Sequence, residues 1–153
     1  MSQDSPRIFV PPPLLTLGVL AVGLAVDGRF SQVPETHPYW RVFAAVTVAA
    51  GIILIVVALG IFRKRGTRPE PWAAASTIVT SGLYRFTRNP MYLGMLLVYA
   101  GLALYLWSPI SGLLLVPLFL IMNWVIIPRE EAYLTRRFGE AYLAYRRSTR
   151  RWL

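Results

Sequence analysis

Arg88, Asn89, Pro90 and Tyr92 stand directly before a long apolar run, and Glu130-Glu131 directly after the next one. Pro90 suits the first turn of a helix, where its missing N–H loses no partner. Asn89 before it suits the N-cap. A helix begun in this way offers unpaired N–H groups and a positive dipole end, which can receive a carboxylate or a phosphate. Arg88 adds charge, Tyr84 and Tyr92 add flat amphipathic surface, and Gly94 leaves room one turn in. The plainer reading of the same residues is an interfacial anchor of arginine and tyrosine at an ordinary helix start.

The acidic pair poses the complementary question. Two adjacent carboxylates at a membrane boundary are costly unless they are solvated, paired with arginine or bound to a cation. Arg88, Arg129 and the arginines of the tail are the available partners. Only "WSP" separates the two apolar runs, so the two must form a tight antiparallel hairpin that brings Glu130 and Glu131 near Arg88. A positive helix end on one wall and carboxylates on another would suit a zwitterionic ligand that also carries a positive centre.

Four apolar blocks must position these groups: residues 11–26, 40–62, 90–107 and 109–127. They compare with the ~20 residues that a helix needs to cross hydrocarbon. "PPP" opens the first block and no small-residue cleavage site follows it, so it reads as a retained helix and not a signal peptide. Residues 128–153 follow as a C-terminal helix, with Leu134, Phe138, Ala141, Tyr142 and Tyr145 at helical spacing and arginines on the other faces. Such a helix lies at the membrane interface. Gly139 inside it costs roughly 1 kcal/mol relative to alanine and invites a bend. The expectation is a single all-α unit over residues 1–153: an integral membrane bundle of about four transmembrane helices with a C-terminal interfacial amphipathic helix.

The +9 formal charge supports a membrane setting over nucleic acid, because the basic residues flank apolar blocks. Arg63, Lys64, Arg65, Arg68, Arg85, Arg88, the tail arginines and Arg7 fall on one side, Arg29 and Arg41 on the other. Both termini are therefore expected in the cytoplasm, in a bacterial-type inner membrane. The chain has no cysteine, which excludes disulfides, thiolate nucleophiles and cysteine metal sites, and its one histidine, His37, gives no metal cluster or triad. No G-x-G-x-x-G fingerprint or P-loop is present.

"TSGLYRFTRNPMYLG", the hairpin and "EEAYLTRRFGEAYLAYRRSTRRWL" together resemble the isoprenylcysteine carboxyl methyltransferases, integral membrane enzymes related to the phospholipid N-methyltransferases. The resemblance runs from about Gly66 to Leu153. It implies S-adenosylmethionine as cofactor, bound at the cytoplasmic ends of the last spans beneath the C-terminal helix. The family's Arg-His-Pro-x-Tyr signature falls on Arg88, Asn89, Pro90, Met91 and Tyr92. Its upstream cofactor stretch falls on Ser76, Thr77, Ile78 and Val79, then Tyr84, and its acidic pair on Glu130 and Glu131. The tail pattern falls on Phe138, Gly139, Tyr142, Tyr145 and Arg151.

Two positions depart from that pattern. The signature histidine is Asn89, which keeps hydrogen bonding and loses titration near neutral pH. The arginine that prenylcysteine-specific members carry one turn before the acidic pair is Ile126, with Arg129 nearby on a neighbouring face as the candidate replacement. The reaction expected is methyl transfer to a lipophilic acceptor that comes sideways from the bilayer: a prenylated thiol or carboxylate, or a lipid amine. Glu130 would serve as base or electrostatic anchor for an amine or thiol. Two other readings remain open here: a membrane sterol-type reductase using NADPH, and a non-catalytic protein binding anionic lipid through its arginines.

Overall fold

A computed structural model describes residues 10–28, 38–66 and 76–153. Arg7, Arg29, His37 and Arg68 lie outside the described residues. The elements are helical: α1 Pro12–Val26, α2 Pro38–Lys64, a short 3-10 turn Gly82–Arg85, α3 Pro90–Tyr105, α4 Pro109–Ile121, a π-helical turn Met122–Ile126, α5 Ile127–Phe138 and α6 Glu140–Ser148. Prolines open α1, α3 and α4 within their first turn, where the missing N–H loses nothing.

Two helices, Pro38–Lys64 and Pro109–Phe138, are long and apolar enough to cross a membrane. Only 17% and 28% of their most apolar windows are buried inside the protein. Val42, Phe43, Val46, Ile53 and Val56 of α2 all face outward, as do Leu113 and Val116 of α4. So much apolar surface on rods of this length is compatible with lipid as the surrounding solvent and not with water. α1 and α3 are apolar but shorter, with 15 and 16 residues.

Small residues bring α2 and α3 into close backbone contact. A Cβ added at Gly51 would lie 2.6 Å from the carbonyl oxygen of Gly94, and one at Gly94 would lie 2.8 Å from that of Gly51. Gly101, two turns on, faces Ala44 in the same way, at 2.9 Å from its carbonyl oxygen. In lipid, where apolar surface gains nothing by leaving solvent, such close backbone packing is what holds helices together. The space Gly94 leaves is thus filled by α2. Gly94→Val should lower stability by about 1–3 kcal/mol, read as an earlier unfolding transition in detergent, whereas Gly18→Val, with nothing within 4 Å of the added carbon, should leave it unchanged.

α1 lies against α3 and α4, with Gly23 set on Ser111. At the far end of the bundle the Asp27 carboxylate accepts from the Ser108 hydroxyl and from the Ile110 N–H at 3.0 Å, capping α4. Tyr99, fully buried at the centre, donates to the Ser111 carbonyl at 2.9 Å.

Three expected boundaries change. α3 stops at Tyr105, and the hairpin turns through Trp107, which has φ of +50°. Helix 109–138 does not break at residue 128: Pro128 is absorbed by the π turn before it, so the rod continues to Phe138. The tail is not a single helix. Gly139 adopts φ +55° and ψ −131°, a conformation for which side chains are poorly suited, and separates α5 from α6. From Thr149 the chain is extended and runs back beside Thr87 as a strap.

Candidate active site

The end of the bundle opposite Asp27 collects the start of α3, the α4–α5 junction, α6 and the strap. Asn89 precedes α3 as expected, but its side chain makes no cap. Its amide donates instead to the Arg151 carbonyl at 2.9 Å, because the strap passes close enough to claim it. Thr87 donates to the same carbonyl at 3.1 Å, and the Arg88 N–H donates to the Arg150 carbonyl at 2.9 Å. The segment before α3 and the strap therefore form a stitched pair.

Glu131 is the centre of charge. Its side chain is only 7% exposed and takes Arg88 Nη2 on Oε1 at 2.8 Å and Arg151 Nη2 on Oε2 at 2.7 Å. Arg88, 9% exposed, also donates through Nη1 to the carbonyls of Arg146 and Thr149. Of the partners considered for the acidic pair, Arg88 and a tail arginine hold Glu131. Glu130, half-buried, has a different environment: it accepts from the Tyr92 hydroxyl on Oε2 at 2.9 Å.

Tyrosines form the remaining wall. Tyr84 and Tyr142 are buried; Tyr145 is half-buried, stacks edge-on against Tyr142 with centroids 6.1 Å apart, and donates to the Tyr84 carbonyl at 2.7 Å. Burial first, then the charge of Glu130, pushes the Tyr84 phenol above its ordinary range. Burial, reinforced by Glu131 and opposed by Arg88, does the same at Tyr142, and burial leads again at Tyr145. These phenols stay protonated at neutral pH, and Tyr145 donates.

Two buried polar atoms have no hydrogen-bond partner among the described residues: the Tyr84 hydroxyl and Arg88 Nε. Leaving a buried polar group unpaired costs about 1–3 kcal/mol, so each of these atoms is a place where a polar group of a ligand would be stabilising. The residues fit S-adenosylmethionine. Arg88 Nε would suit its carboxylate, Glu131 a cationic group, and the tyrosine faces a sulfonium and an adenine.

The other anticipated residues divide. Val79 is buried with Ala58 and Tyr84, and Met91 packs against that group. Pro90 is buried at the start of α3; Ser76 and Thr77 are exposed and Ile78 half-buried, upstream of the cluster. Arg129 is exposed, and Ile126 sits in the apolar core with Tyr92. Asn123 was not anticipated as a site residue. It accepts from Arg151 and Trp152, and its one signal was being the lone amide in the run 109–127.

Known proteins resemble this chain over part or most of its length. Phosphatidyl-N-methylethanolamine N-methyltransferase of Emericella nidulans is 25% identical over 138 residues, 83% of this chain and 68% of that protein. Protein-S-isoprenylcysteine O-methyltransferase A of Arabidopsis thaliana is 36% identical over 75 residues, 46% of this chain and 36% of that protein. The corresponding enzyme of Schizosaccharomyces pombe is 35% identical over 74 residues, 46% of this chain and 30% of its own length. The chain thus spans about a third of the isoprenylcysteine enzymes it matches. No solved structure matches it. The family described as phospholipid methyltransferase matches residues 39–141. That stretch holds α2, α3, the hairpin and the acidic pair, so the likeness first read from the short motifs extends across most of the bundle, and the chain belongs to the phospholipid methyltransferase family.

Proposed function

We propose that the protein is an S-adenosylmethionine-dependent methyltransferase acting on a lipophilic acceptor that reaches the site from the bilayer. The observation that carries this reading is the orphaned pair, Tyr84 hydroxyl and Arg88 Nε, in a cluster with two carboxylates. Four spans, α1 to α4, cross the membrane in this proposal. α1 and α3 are ~22–24 Å long at 1.5 Å per residue, which covers a thinned bilayer. The arginine-rich ends lie in the cytoplasm with the site.

S-adenosylmethionine supplies an electrophilic methyl on a sulfonium; the protein supplies the rest. Arg88 Nε and the Tyr84 hydroxyl bind and orient, and Glu131 balances charge between Arg88 and Arg151. Glu130, held by the Tyr92 hydroxyl, faces the acceptor. For an amine acceptor it would take the proton the nitrogen sheds as the N–C bond forms and the methyl's bond to sulfur breaks, the sulfonium leaving as a neutral thioether. The strap and α6 keep water from the site, which favours a charge-dispersing displacement between oriented partners. A lipid amine is the acceptor this site suits best. Glu130 provides a base for it, and Ile126 offers an acceptor carboxylate no guanidinium. The long match to the Emericella N-methyltransferase supports the same choice. A prenylated thiol or carboxylate is the second reading, supported by the isoprenylcysteine relatives.

Tyr84→Phe tests the proposal with two readouts of opposite sign. Removing an orphaned hydroxyl should raise the unfolding temperature. The same change should weaken calorimetric binding of S-adenosylhomocysteine about tenfold, the loss of one hydrogen bond in a dry site. Binding of NADPH in place of the adenosyl ligand, or wild-type affinity in the variant, would refute the assignment.

A further inference from the structure

We infer that Asn123 is a positioning residue of this site, its side chain acting on Glu131 through Arg151, and that Pro128 adds a second anchor by freeing the backbone carbonyl of the same residue. The Ile127 N–H bonds five residues back to the Met122 carbonyl, in π register. In that register the Asn123 carbonyl would pair with the N–H of residue 128, which proline lacks. A carbonyl freed inside an apolar helix has to be satisfied from elsewhere. Arg151 Nη1 donates to it at 3.2 Å, and to the Asn123 side-chain Oδ1 at 3.3 Å. Trp152 Nε1 donates to the same Oδ1 at 3.0 Å, and its ring packs on Phe119 with centroids 5.2 Å apart.

The other nitrogens of the same guanidinium reach the acid. Nε lies 3.3 Å from Glu131 Oε1, and Nη2 lies 2.7 Å from Oε2. A planar guanidinium presents its donors in a fixed fork. Anchoring Nη1 on Asn123 therefore sets where Nε and Nη2 meet the carboxylate. Arg151 is 27% exposed, so without that anchor solvent competes for it. The irregularity at Pro128 is in this way converted into a fixed orientation of Glu131. That Glu131 faces a cofactor cation rests on the methyltransferase reading; the chain of contacts does not.

Asn123→Leu removes the Oδ1 acceptor, whereas Asn123→Asp keeps an oxygen for both donors. Two measurements on the detergent-purified protein separate the ideas: tryptic cleavage after Arg150 and Arg151, and calorimetric affinity for S-adenosylhomocysteine. Asn123→Leu should speed cleavage of the strap and weaken binding, each about tenfold. Asn123→Asp should restore both, and cleavage after Arg136 in α5 should not change in either variant. Should Asn123→Leu fail to fold, Pro128→Ala carries the test. It returns an N–H to the Asn123 carbonyl, and the strap should become more cleavable. Unchanged cleavage in Asn123→Leu, or an Asn123→Asp that behaves like leucine, overturns the inference. Faster cleavage in a protein whose wild type binds no adenosyl ligand would sink the methyltransferase reading and leave the Asn123–Arg151–Glu131 anchoring in place.

Discussion

Glu131→Gln is expected to cost the fold about 3–5 kcal/mol, the loss found when one partner of a buried ion pair is removed. The wild-type carboxylate is 7% exposed and holds the Arg88 and Arg151 guanidinium groups, with Arg146 Nε at 4.0 Å. Glutamine keeps the shape but presents one amide nitrogen to donors that have nothing to accept from it. Arg88 and Arg151 then converge on a neutral group, and Arg88, the more buried of the two, has no route to water. The change should appear as a lower midpoint of thermal unfolding in detergent, with little dependence on salt because the pair is shielded. Arg151→Met removes the more exposed partner and should cost less. A double-mutant cycle between the two positions should show clear coupling, since both act in one network. An unfolding midpoint for Glu131→Gln equal to wild type would mean that the cluster does not carry the charge assigned to it.

Glu130→Gln should act on rate and not on stability. Glu130 is half-buried and makes one side-chain contact, the hydrogen bond from Tyr92, which a glutamine oxygen can still accept. With a lipid amine as acceptor, kcat should fall by roughly 10²–10⁴, the usual contribution of a positioned general base. The apparent KM for S-adenosylmethionine and the unfolding midpoint should change little. Tyr92→Phe leaves the acid in place but unoriented, so its loss of rate should be smaller. The pair of variants also discriminates acceptors. A carboxylate acceptor is already the nucleophile and needs no base, so turnover in Glu130→Gln close to wild type would favour the carboxyl-methylating reading.

The sequence made the local parts of this site readable and left the long-range ones hidden. A three-residue turn between two apolar runs forces the run ends together, so the approach of the acidic pair to Arg88 followed from connectivity alone. The 2.8 Å contact between Arg88 and Glu131 is its structural form. Asn89 shows the limit of local reasoning. Its type and place suit an N-cap, but the strap offers its amide the Arg151 carbonyl, and that bond connects residues 62 positions apart. Gly94 was read as space for a ligand because a single chain does not disclose which helix faces it. Only the pairing of α2 with α3 shows that Gly51 takes up that space. Pro128 ends the fourth apolar run in the sequence, since the π turn that accommodates it depends on a distant donor for the freed Asn123 carbonyl, and that donor is Arg151. Gly139 was read as a bend within one helix, but its positive φ divides the tail into α5 and α6.

The stitching of the strap also governs when the site comes into being. Thr87 meets the Arg151 carbonyl across 64 positions of chain, with α3, α4, α5 and α6 made in between. Helices α2 and α3 can pair before the strap is made. The guanidinium that completes the Glu131 clamp is synthesised only after every span. A chain lacking residues 149–153 would keep the Arg88–Glu131 ion pair but lose the second guanidinium and the bonds that stitch the strap to Thr87, Arg88 and Asn89. Long loop closures are paid late in folding, so insertion and activation become separate events in the life of the chain.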